Sequence, residues 1–270
     1  MSNLQTRILT AIVLGTLTLW LTYAGGLGFS LLMIAMGLAI FYEWTTLSAS
    51  RQSALTKILG WLWLAGTFAL LIWDKNALWT IGFLIIGFVV LLVLGWKSGK
   101  AWPAIGLIYA GFPTISLTLL RGDEPFGFTA IIFLFAIVWS TDIAAYFTGR
   151  SLGGPKLAPK FSPNKTWSGA IGGVAAAVAG AIFVASLVAE PGSFIVPLLA
   201  VMLSIVSQIG DLGESWVKRQ FGAKDSGWLL PGHGGVMDRV DGLIAAGALL
   251  YIIGAVLAEP DVPSAIFFNL

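Results

Sequence analysis

The sequence has no cysteine and a single histidine, and these absences exclude several kinds of chemistry. Without cysteine the chain cannot form a disulfide, a zinc thiolate site or a cysteine nucleophile. Charged residues make up only 10% of the chain, and no Lys/Arg run of the length used for nucleic-acid binding occurs. A net charge of +2 is likewise too small to indicate a nucleic-acid partner.

Apolar residues are what the chain has in excess. They make up 57% of its 270 residues, and the mean hydropathy is +0.90, values that a water-soluble fold of this size could not bury in one core. Because a bilayer core of about 30 Å needs roughly 20 apolar residues per helix, the sequence predicts an all-α, polytopic integral membrane protein with nine transmembrane helices. The predicted spans are 8–23, 27–46, 55–73, 77–96, 103–120, 127–149, 168–189, 194–210 and 240–258.

The basic residues predict the orientation of these spans. With nine spans, thirteen of the fifteen Lys and Arg residues fall on the side of the N-terminus, and only Lys75 and Arg121 fall on the other. By the positive-inside rule we expect the N-terminus in the cytoplasm and the protein in the inner membrane. The acidic residues expected on the opposite side are Asp74, Asp123, Glu124, Glu190, Glu259 and Asp261.

Two predicted cytoplasmic loops hold most of the remaining polar residues. They cover 150–167 and 211–239, and loops of this length in a compact protein are usually functional. The sequence therefore divides into N-terminal transmembrane helices, 1–125, and a C-terminal transmembrane region, 126–270, which carries both loops and the candidate site.

The beginning of the second loop predicts a polar stripe on a helix. If the eighth helix continues to about Phe221, four side chains share one face through their i, i+3, i+4 and i+7 spacing. These side chains are Asp211, Glu214, Ser215 and Lys218.

Three aspartates form the candidate metal site. Asp211 lies at the end of the eighth span, and Asp238 and Asp241 are spaced i, i+3 at the start of the ninth. Oxygen ligands suit a hard ion, and Mg²⁺ typically takes one or two protein carboxylates together with substrate phosphates and water. We interpret the three aspartates as Mg²⁺ ligands. The alternative is that they are solvated, or paired with Lys218, Arg219 and Arg239.

The glycine-rich segment Pro231–Gly235 is a candidate phosphate site. Its glycines, Gly232, Gly234 and Gly235, allow unusual backbone angles and a close approach of amides to an anion. The alternative is a loop that only turns the chain. His233 is more typical of a hydrogen-bonded loop residue than of a general base.

The first loop ends in a second candidate phosphate site. Ser162 is expected as the N-cap of a helix, with Pro163 at the first helical position and Lys165 two residues further on. A helix N-terminus beside a lysine is suited to a phosphate. The alternative is an ordinary cap with an interfacial Lys165 and Trp167.

Two further acids lie within predicted spans. Asp142 precedes Arg150 by eight residues, which places it about 12 Å below the cytoplasmic end of its helix. A carboxylate at that depth is costly and is a functional candidate. Glu43, near the end of the second span, is expected at the membrane interface.

The C-terminal half resembles the phosphatidate cytidylyltransferases, also called CDP-diacylglycerol synthases. Their signature matches Ser215-x-x-Lys218-Arg219-x4-Lys224-Asp225-x-Gly227-x-x-Leu230-Pro231-Gly232-His233-Gly234-Gly235-x-x-Asp238-Arg239-x-Asp241. The segments Ser162-Pro163-x-Lys165-Thr166 and Asp142-x-x-Ala145-Tyr146-Phe147 match in the expected order, whereas the first five spans match only in kind. Asn164 and Ser168 stand where the family usually has a lysine and a glutamate, so no role of that glutamate applies here.

The resemblance implies a reaction and a set of residues for it. CTP and phosphatidic acid would give CDP-diacylglycerol and pyrophosphate. Mg²⁺ would be the cofactor, and a second cation is compatible with the resemblance. The implied catalytic residues are Asp211, Lys218, Arg219, Asp238, Arg239 and Asp241. The implied substrate-binding residues are Asp142, Ser162, Lys165, Thr166, Ser215, Lys224, Asp225, Gly232, His233, Gly234 and Gly235. The resemblance also implies a homodimer, contact with membrane lipid and an active site that faces the cytoplasm.

Three other functions compete with this interpretation. A transporter or channel could use Asp142 and the loop carboxylates as an ion path, although the chain shows no internal repeat and such sites are expected near mid-membrane. Another lipid-phosphate enzyme, such as a CDP-alcohol phosphotransferase or a polyprenyl-phosphate sugar transferase, is the second, but the spaced-aspartate motif of the former is not visible. A noncatalytic scaffold gives no reason for the acidic cluster.

Overall fold

The structure is a computed structural model that describes residues 3–74, 76–124, 126–187 and 195–267. Lys75 and Glu190, which entered the expected charge distribution, lie outside the described residues. The same is true of the predicted end of the seventh span, at 188–189, and of the predicted start of the eighth, at 194.

Nine helices in the described part of the chain are long and apolar enough to cross a membrane, which confirms the predicted fold class. In chain order they are α1 Asn3–Ala24, α2 Gly26–Leu47, α3 Ala54–Trp73, α4 Ala77–Trp96, α5 Trp102–Arg121, α6 Gly127–Leu152, α7 Trp167–Ser186, α8 Ile195–Gln220 and α9 Met237–Leu257. Short 3₁₀ turns cover Ala49–Arg51 and Pro263–Ile266.

The first loop contains a small antiparallel sheet and not the predicted helix start. Strand β1, Lys156–Ala158, pairs with β2, Ser162–Thr166, so that Lys156 lies opposite Thr166 and Ala158 opposite Ser162. The prediction of Ser162 as an N-cap is therefore wrong. The residue before a proline is disfavoured in the α conformation, and here the extended segment pairs with β1. Helix α7 begins at Trp167, and its N-cap is Thr166, whose hydroxyl accepts a hydrogen bond from the Gly169 amide.

The second loop is shorter than the predicted range 211–239. Helix α8 continues to Gln220, as the polar stripe required, and α9 begins at Met237. The irregular segment therefore covers only 221–236. It begins at Phe221, whose ring and that of Trp102 both lie beneath the guanidinium of Arg51, at 5.6 and 5.8 Å.

The chain forms two compact units. The first holds the described residues up to Asp123 together with Phe221–Arg239, and the second holds those of Glu124–Gln220 and from Val240 onward. In the first unit α2, α3 and α4 pack against α5, which is buried along most of its length. In the second unit α7 packs against α6 and α8, and glycines bring α6 and α7 close together. A Cβ atom at Gly169 would lie 2.7 Å from the carbonyl oxygen of Ala145.

Arg121 is buried in the first unit, although it is one of the two basic residues expected on the side opposite the N-terminus. Its Nε and Nη2 donate hydrogen bonds to the carbonyl oxygens of Thr22 and Tyr23, at 2.6 and 3.0 Å. These carbonyls end α1, where no following turn of the helix binds them. The guanidinium of Arg121, on α5, therefore caps the C-terminus of α1, and its positive charge has a structural role.

Candidate active site

A cavity of about 640 Å³ lies in the second unit. Its walls come from α6, the two strands, α7 and α8. The charged side chains in its lining are Asp142, Arg150, Lys156, Lys165 and Asp211. Cations and carboxylates from three stretches of sequence thus converge on one space, as a site for a phosphorylated ligand requires.

Lys165 and Asp211 form an ion pair in this cavity. Lys165 lies in β2, and its side chain is 27% exposed, while that of Asp211 on α8 is 34% exposed. A pair of this kind keeps both charges in place and remains accessible to a ligand. Lys165 thus lies near the end of a strand and directly before Thr166, the N-cap of α7.

Three aspartates of the second unit form an acidic cluster. Asp142, Asp211 and Asp241 interact electrostatically with one another and with Lys165. Asp241 is half-buried, and its Oδ1 accepts a hydrogen bond from the Gly242 amide at 2.8 Å. Asp142, which the resemblance implied only as a substrate contact, thus lies within electrostatic range of two of the predicted metal ligands.

The donor chemistry of the acidic cluster suits a hard cation. Carboxylate oxygens are the ligands that Mg²⁺ takes from proteins, and the clustered negative charges are compensated only in part by Lys165. In the described part of the chain, no three Asp, Glu or His side chains already converge with metal-binding geometry. The fit to Mg²⁺ thus rests on the type of donor atom alone, and the assignment of the metal site stays a prediction.

Asp238 holds the second loop together in the first unit. Its Oδ2 accepts hydrogen bonds from the amide and the hydroxyl of Ser226, both at 2.9 Å, and from the amide of Gly235 at 3.2 Å. Asp238 lies in the first turn of α9, where a negative charge is favourable. Asp238 therefore has a structural role in the loop, and its assignment as a metal ligand stays a prediction.

The glycine-rich segment forms a closed turn. Gly232 and Gly234 have φ angles of 75° and 88°, a conformation that glycine adopts without strain. The amides of His233 and Gly234 both donate to the carbonyl of Leu230, at 2.9 and 3.1 Å. In this conformation these amides are used inside the turn, so the predicted phosphate contacts would need the turn to open.

The remaining predicted residues lie on both units. Lys218 forms an ion pair of 2.5 Å with the buried Glu214, one helical turn away on α8, and Arg219 is exposed beyond it. Ser215, on the same helix, is half-buried.

In the first unit Lys224 and Asp225 are exposed. Arg239 donates from Nε and Nη2 to the carbonyl oxygen of His233, at 3.0 and 2.6 Å.

His233 is expected to tolerate replacement by alanine. Its side chain is half-buried, and its Nδ1 has no hydrogen-bond partner among the described residues, so no acceptor at Nδ1 orients the imidazole as in a typical general base. We expect His233→Ala to lower kcat by less than the factor of about 100 that marks the loss of a general acid or base. Steady-state rates measure this, and complete loss of activity would contradict it.

Glu43 is a buried acid that the sequence reasoning expected at the membrane interface, with no further role. In the structure it is only 1% exposed, and its carboxylate accepts hydrogen bonds from the second loop. The available signal was an acid inside an apolar span, and only the fold shows which segment it binds. Tyr146, Asn164 and Gln208, which line the cavity, were also not assigned from the sequence.

Comparisons with known proteins identify the family of the chain. The family model described as the cytidylyltransferase family matches residues 5–257. The chain is 74% identical over 269 residues to the phosphatidate cytidylyltransferase of Brucella suis biovar 1, with 100% of both chains covered. It is 33% identical over 273 residues to that of Bacillus subtilis, covering 96% of this chain and 100% of the relative. It is 34% identical over 282 residues to that of Haemophilus influenzae, covering 90% and 96%. The chain therefore belongs to the cytidylyltransferase family.

Proposed function

We propose that this protein transfers the cytidylyl group of CTP to phosphatidic acid and releases CDP-diacylglycerol and pyrophosphate. The observation that carries the proposal is the cavity of the second unit, in which Arg150, Lys156 and Lys165 face the carboxylates of Asp142 and Asp211. Three basic side chains in one cavity are suited to substrates that carry several phosphate charges, such as CTP and phosphatidic acid. The likeness to relatives named for this reaction over their full length supports the same substrates.

The chemistry requires positioning more than proton transfer. A phosphate monoester has a second pKa of about 6, so the phosphate of phosphatidic acid is largely ionised at neutral pH and can attack without a general base. Its oxygen forms a bond to the α-phosphorus of CTP, while the bond from that phosphorus to the bridging oxygen breaks and pyrophosphate leaves. The protein must hold two polyanions together and stabilise the charge on the leaving group.

Basic side chains of the cavity are suited to the phosphates. Lys165 lies on a strand edge and is partly exposed, so an arriving phosphate can take it from Asp211. Arg150 and Lys156 line the same cavity, while Lys218, Arg219, Lys224 and Arg239 are further candidates from the signature. The acyl chains would stay in lipid, with the head group in the cavity.

The metal site proposed here uses the signature aspartates. Asp211 and Asp241 would hold Mg²⁺ in the second unit, where Asp142 adds a third carboxylate, and Asp238 remains the predicted ligand from the start of α9. When bound, Mg²⁺ supplies positive charge to the pyrophosphate oxygens. A second cation would be compatible with the surplus of carboxylates in the acidic cluster.

The site is proposed to face the cytoplasm, where CTP is found. In the predicted topology thirteen of the fifteen basic residues fall on the side of the N-terminus, which supports a multi-pass inner-membrane protein with a cytoplasmic N-terminus. Cysteine accessibility at the exposed Lys224 and Glu259, in intact cells and in lysed cells, tests this orientation. The homodimer remains a prediction of the family resemblance. The mass of the detergent-solubilised protein tests it.

The reaction is tested with purified protein in detergent. With CTP labelled in its cytidine and with phosphatidic acid, we expect lipid-soluble label and one pyrophosphate per lipid formed. Omission of phosphatidic acid is the control. Absence of both products contradicts the proposal, and ion flux in proteoliposomes without CTP turnover would favour the transporter. Turnover only with CDP-diacylglycerol and an alcohol, or with polyprenyl phosphate and a nucleotide sugar, would favour another lipid-phosphate enzyme.

A further inference from the structure

We propose that Glu43 of α2 is a positioning residue for the reaction: its buried carboxylate holds the second loop and the start of α9, and so fixes Asp238 without touching the substrates. The inference rests on the proposed function, because it concerns the turnover of that same site. The contacts that carry it all lie within the first unit.

Both carboxylate oxygens of Glu43 bind the loop. Oε1 accepts a hydrogen bond from the Val236 amide at 2.8 Å. Oε2 accepts one from the Met237 amide at 2.8 Å and one from the Ser226 hydroxyl at 3.1 Å. Since Glu43 is 1% exposed, these donors replace the water that its carboxylate loses on burial.

Two of these donors belong to the N-terminus of α9. Val236 precedes the first helical residue, Met237, and amides at this end of a helix have no carbonyl of their own helix to bind. Glu43 therefore caps α9 from a different helix, and its charge is favourable beside the positive end of the helix dipole.

The glycines around Glu43 allow this close approach. A Cβ atom at Gly227 would lie 2.7 Å from Oε1 of Glu43, and one at Gly235 would lie 2.8 Å from Oε2. Cβ atoms essentially never lie this close to another atom, so a side chain at either position would force the carboxylate of Glu43 to move. Both glycines belong to the segment that matches the signature, so part of the signature is explained by the fit of the loop around Glu43.

Ser226 connects Glu43 to Asp238. Its hydroxyl lies 3.1 Å from Oε2 of Glu43 and 2.9 Å from Oδ2 of Asp238, and a hydroxyl has one proton to donate. The amides of Ser226 and Gly235 also bind Oδ2 of Asp238. The hydroxyl can donate to only one of the two carboxylates at a time, but both carboxylates bind amides of the same short segment. Loss of Glu43 therefore loosens the segment that holds Asp238.

Replacing Glu43 with glutamine tests this arrangement. The change keeps the size of the side chain, but it turns one acceptor into an NH₂ donor that faces amide and hydroxyl donors. We expect a fall in kcat of about 10–100-fold, the usual effect of losing a group that orients a ligand. The KM for phosphatidic acid should stay the same, and the Mg²⁺ concentration for half-maximal rate should rise. Glu43→Asp, which keeps the charge, should recover part of kcat.

A second readout does not depend on activity. Hydrogen exchange of the Val236 and Met237 amides, measured without Mg²⁺ or substrates, should become faster in Glu43→Gln. Thr45→Val is the matched control, because Thr45 is also buried on α2. Within the described ranges its hydroxyl binds only carbonyls of its own helix, those of Phe41 and Tyr42. In this variant both kcat and amide exchange should stay at the level of the unmodified protein.

The outcomes separate this inference from the proposed function. If the unmodified protein forms no CDP-diacylglycerol, the proposed function fails, whereas faster amide exchange in Glu43→Gln alone would still support the contact with the loop. Unchanged kcat and unchanged exchange in Glu43→Gln overturn the inference. So does a uniform loss of activity with an unchanged Mg²⁺ dependence and no recovery in Glu43→Asp, because it indicates a role in folding alone.

A variant that removes only the connecting hydroxyl covers the case in which Glu43→Gln does not fold. Ser226→Ala keeps both carboxylates, and we expect it to lower kcat and to raise the Mg²⁺ requirement in the same direction. If both variants fold, their combined effect on kcat should be smaller than the product of the two, because they disturb the same contact. A Ser226→Ala protein with unaltered kcat and Mg²⁺ dependence overturns the inference.

Discussion

Replacing Asp211 with asparagine is expected to lower kcat by on the order of 1,000-fold, the effect of removing a group that stabilises transition-state charge, while the protein keeps its fold. Asp211 lines the cavity, binds Lys165 and belongs to the acidic cluster, so asparagine removes one of the negative charges proposed to hold the metal. The side chain is partly exposed, and its replacement therefore leaves no unpaired group in the core. Label transfer from CTP to lipid measures the rate.

Glu259→Gln is the matched control for this change. Glu259 is an exposed acid outside the predicted site, and removal of its charge is expected to leave kcat as it is. Thermal unfolding of both variants in detergent checks that the fold is retained. An Asp211→Asn protein that turns over at the unmodified rate would remove Asp211 from the metal site.

Removing divalent cations with EDTA is expected to stop turnover completely, and added Mg²⁺ is expected to restore it. The acidic cluster brings Asp142, Asp211 and Asp241 together with one lysine, so negative charge remains for a hard cation to neutralise. Without that cation the carboxylates would repel the phosphates of CTP. The rate as a function of free Mg²⁺ measures the requirement.

The same titration without substrates provides the control. Tryptophan fluorescence of the EDTA-treated protein should match that of the untreated protein, which shows that the chelator removed an ion and left the fold unchanged. Full activity in excess EDTA would contradict the metal assignment. Restoration by Mg²⁺ in the Asp211→Asn variant would mean that other carboxylates hold the ion.

The membrane fold was predictable because hydropathy and helix length are local properties. Spans such as 77–96 were predicted at the bounds that α4 has in the structure, since apolar runs of this length have few alternatives in a bilayer. The prediction for 162–166 was wrong because the pattern Ser-Pro fits both a helix start and an extended segment. Pairing with Lys156–Ala158 is a tertiary contact that the segment itself does not encode.

The site was predictable as a set of residues and less so as an arrangement. In an apolar chain, acids and bases in the loops and an acid inside a span both point to function. This reasoning found Asp211, Lys165 and Asp142, which share one cavity. It could not find the bond between Glu43 and Met237, because these residues lie 194 positions apart. Which of several buried acids binds which backbone amide depends on how the helices pack.

The guanidinium of Arg121 has a consequence for the order in which the protein is assembled. It binds the carbonyl of Tyr23, which is made 98 residues earlier, and synthesis proceeds from the N-terminus. The first two helices therefore leave the ribosome before Arg121, which binds the end of α1, has been synthesised. During that interval the corner between them, at Gly25, is held by short-range contacts alone, and translation of the fifth helix completes it.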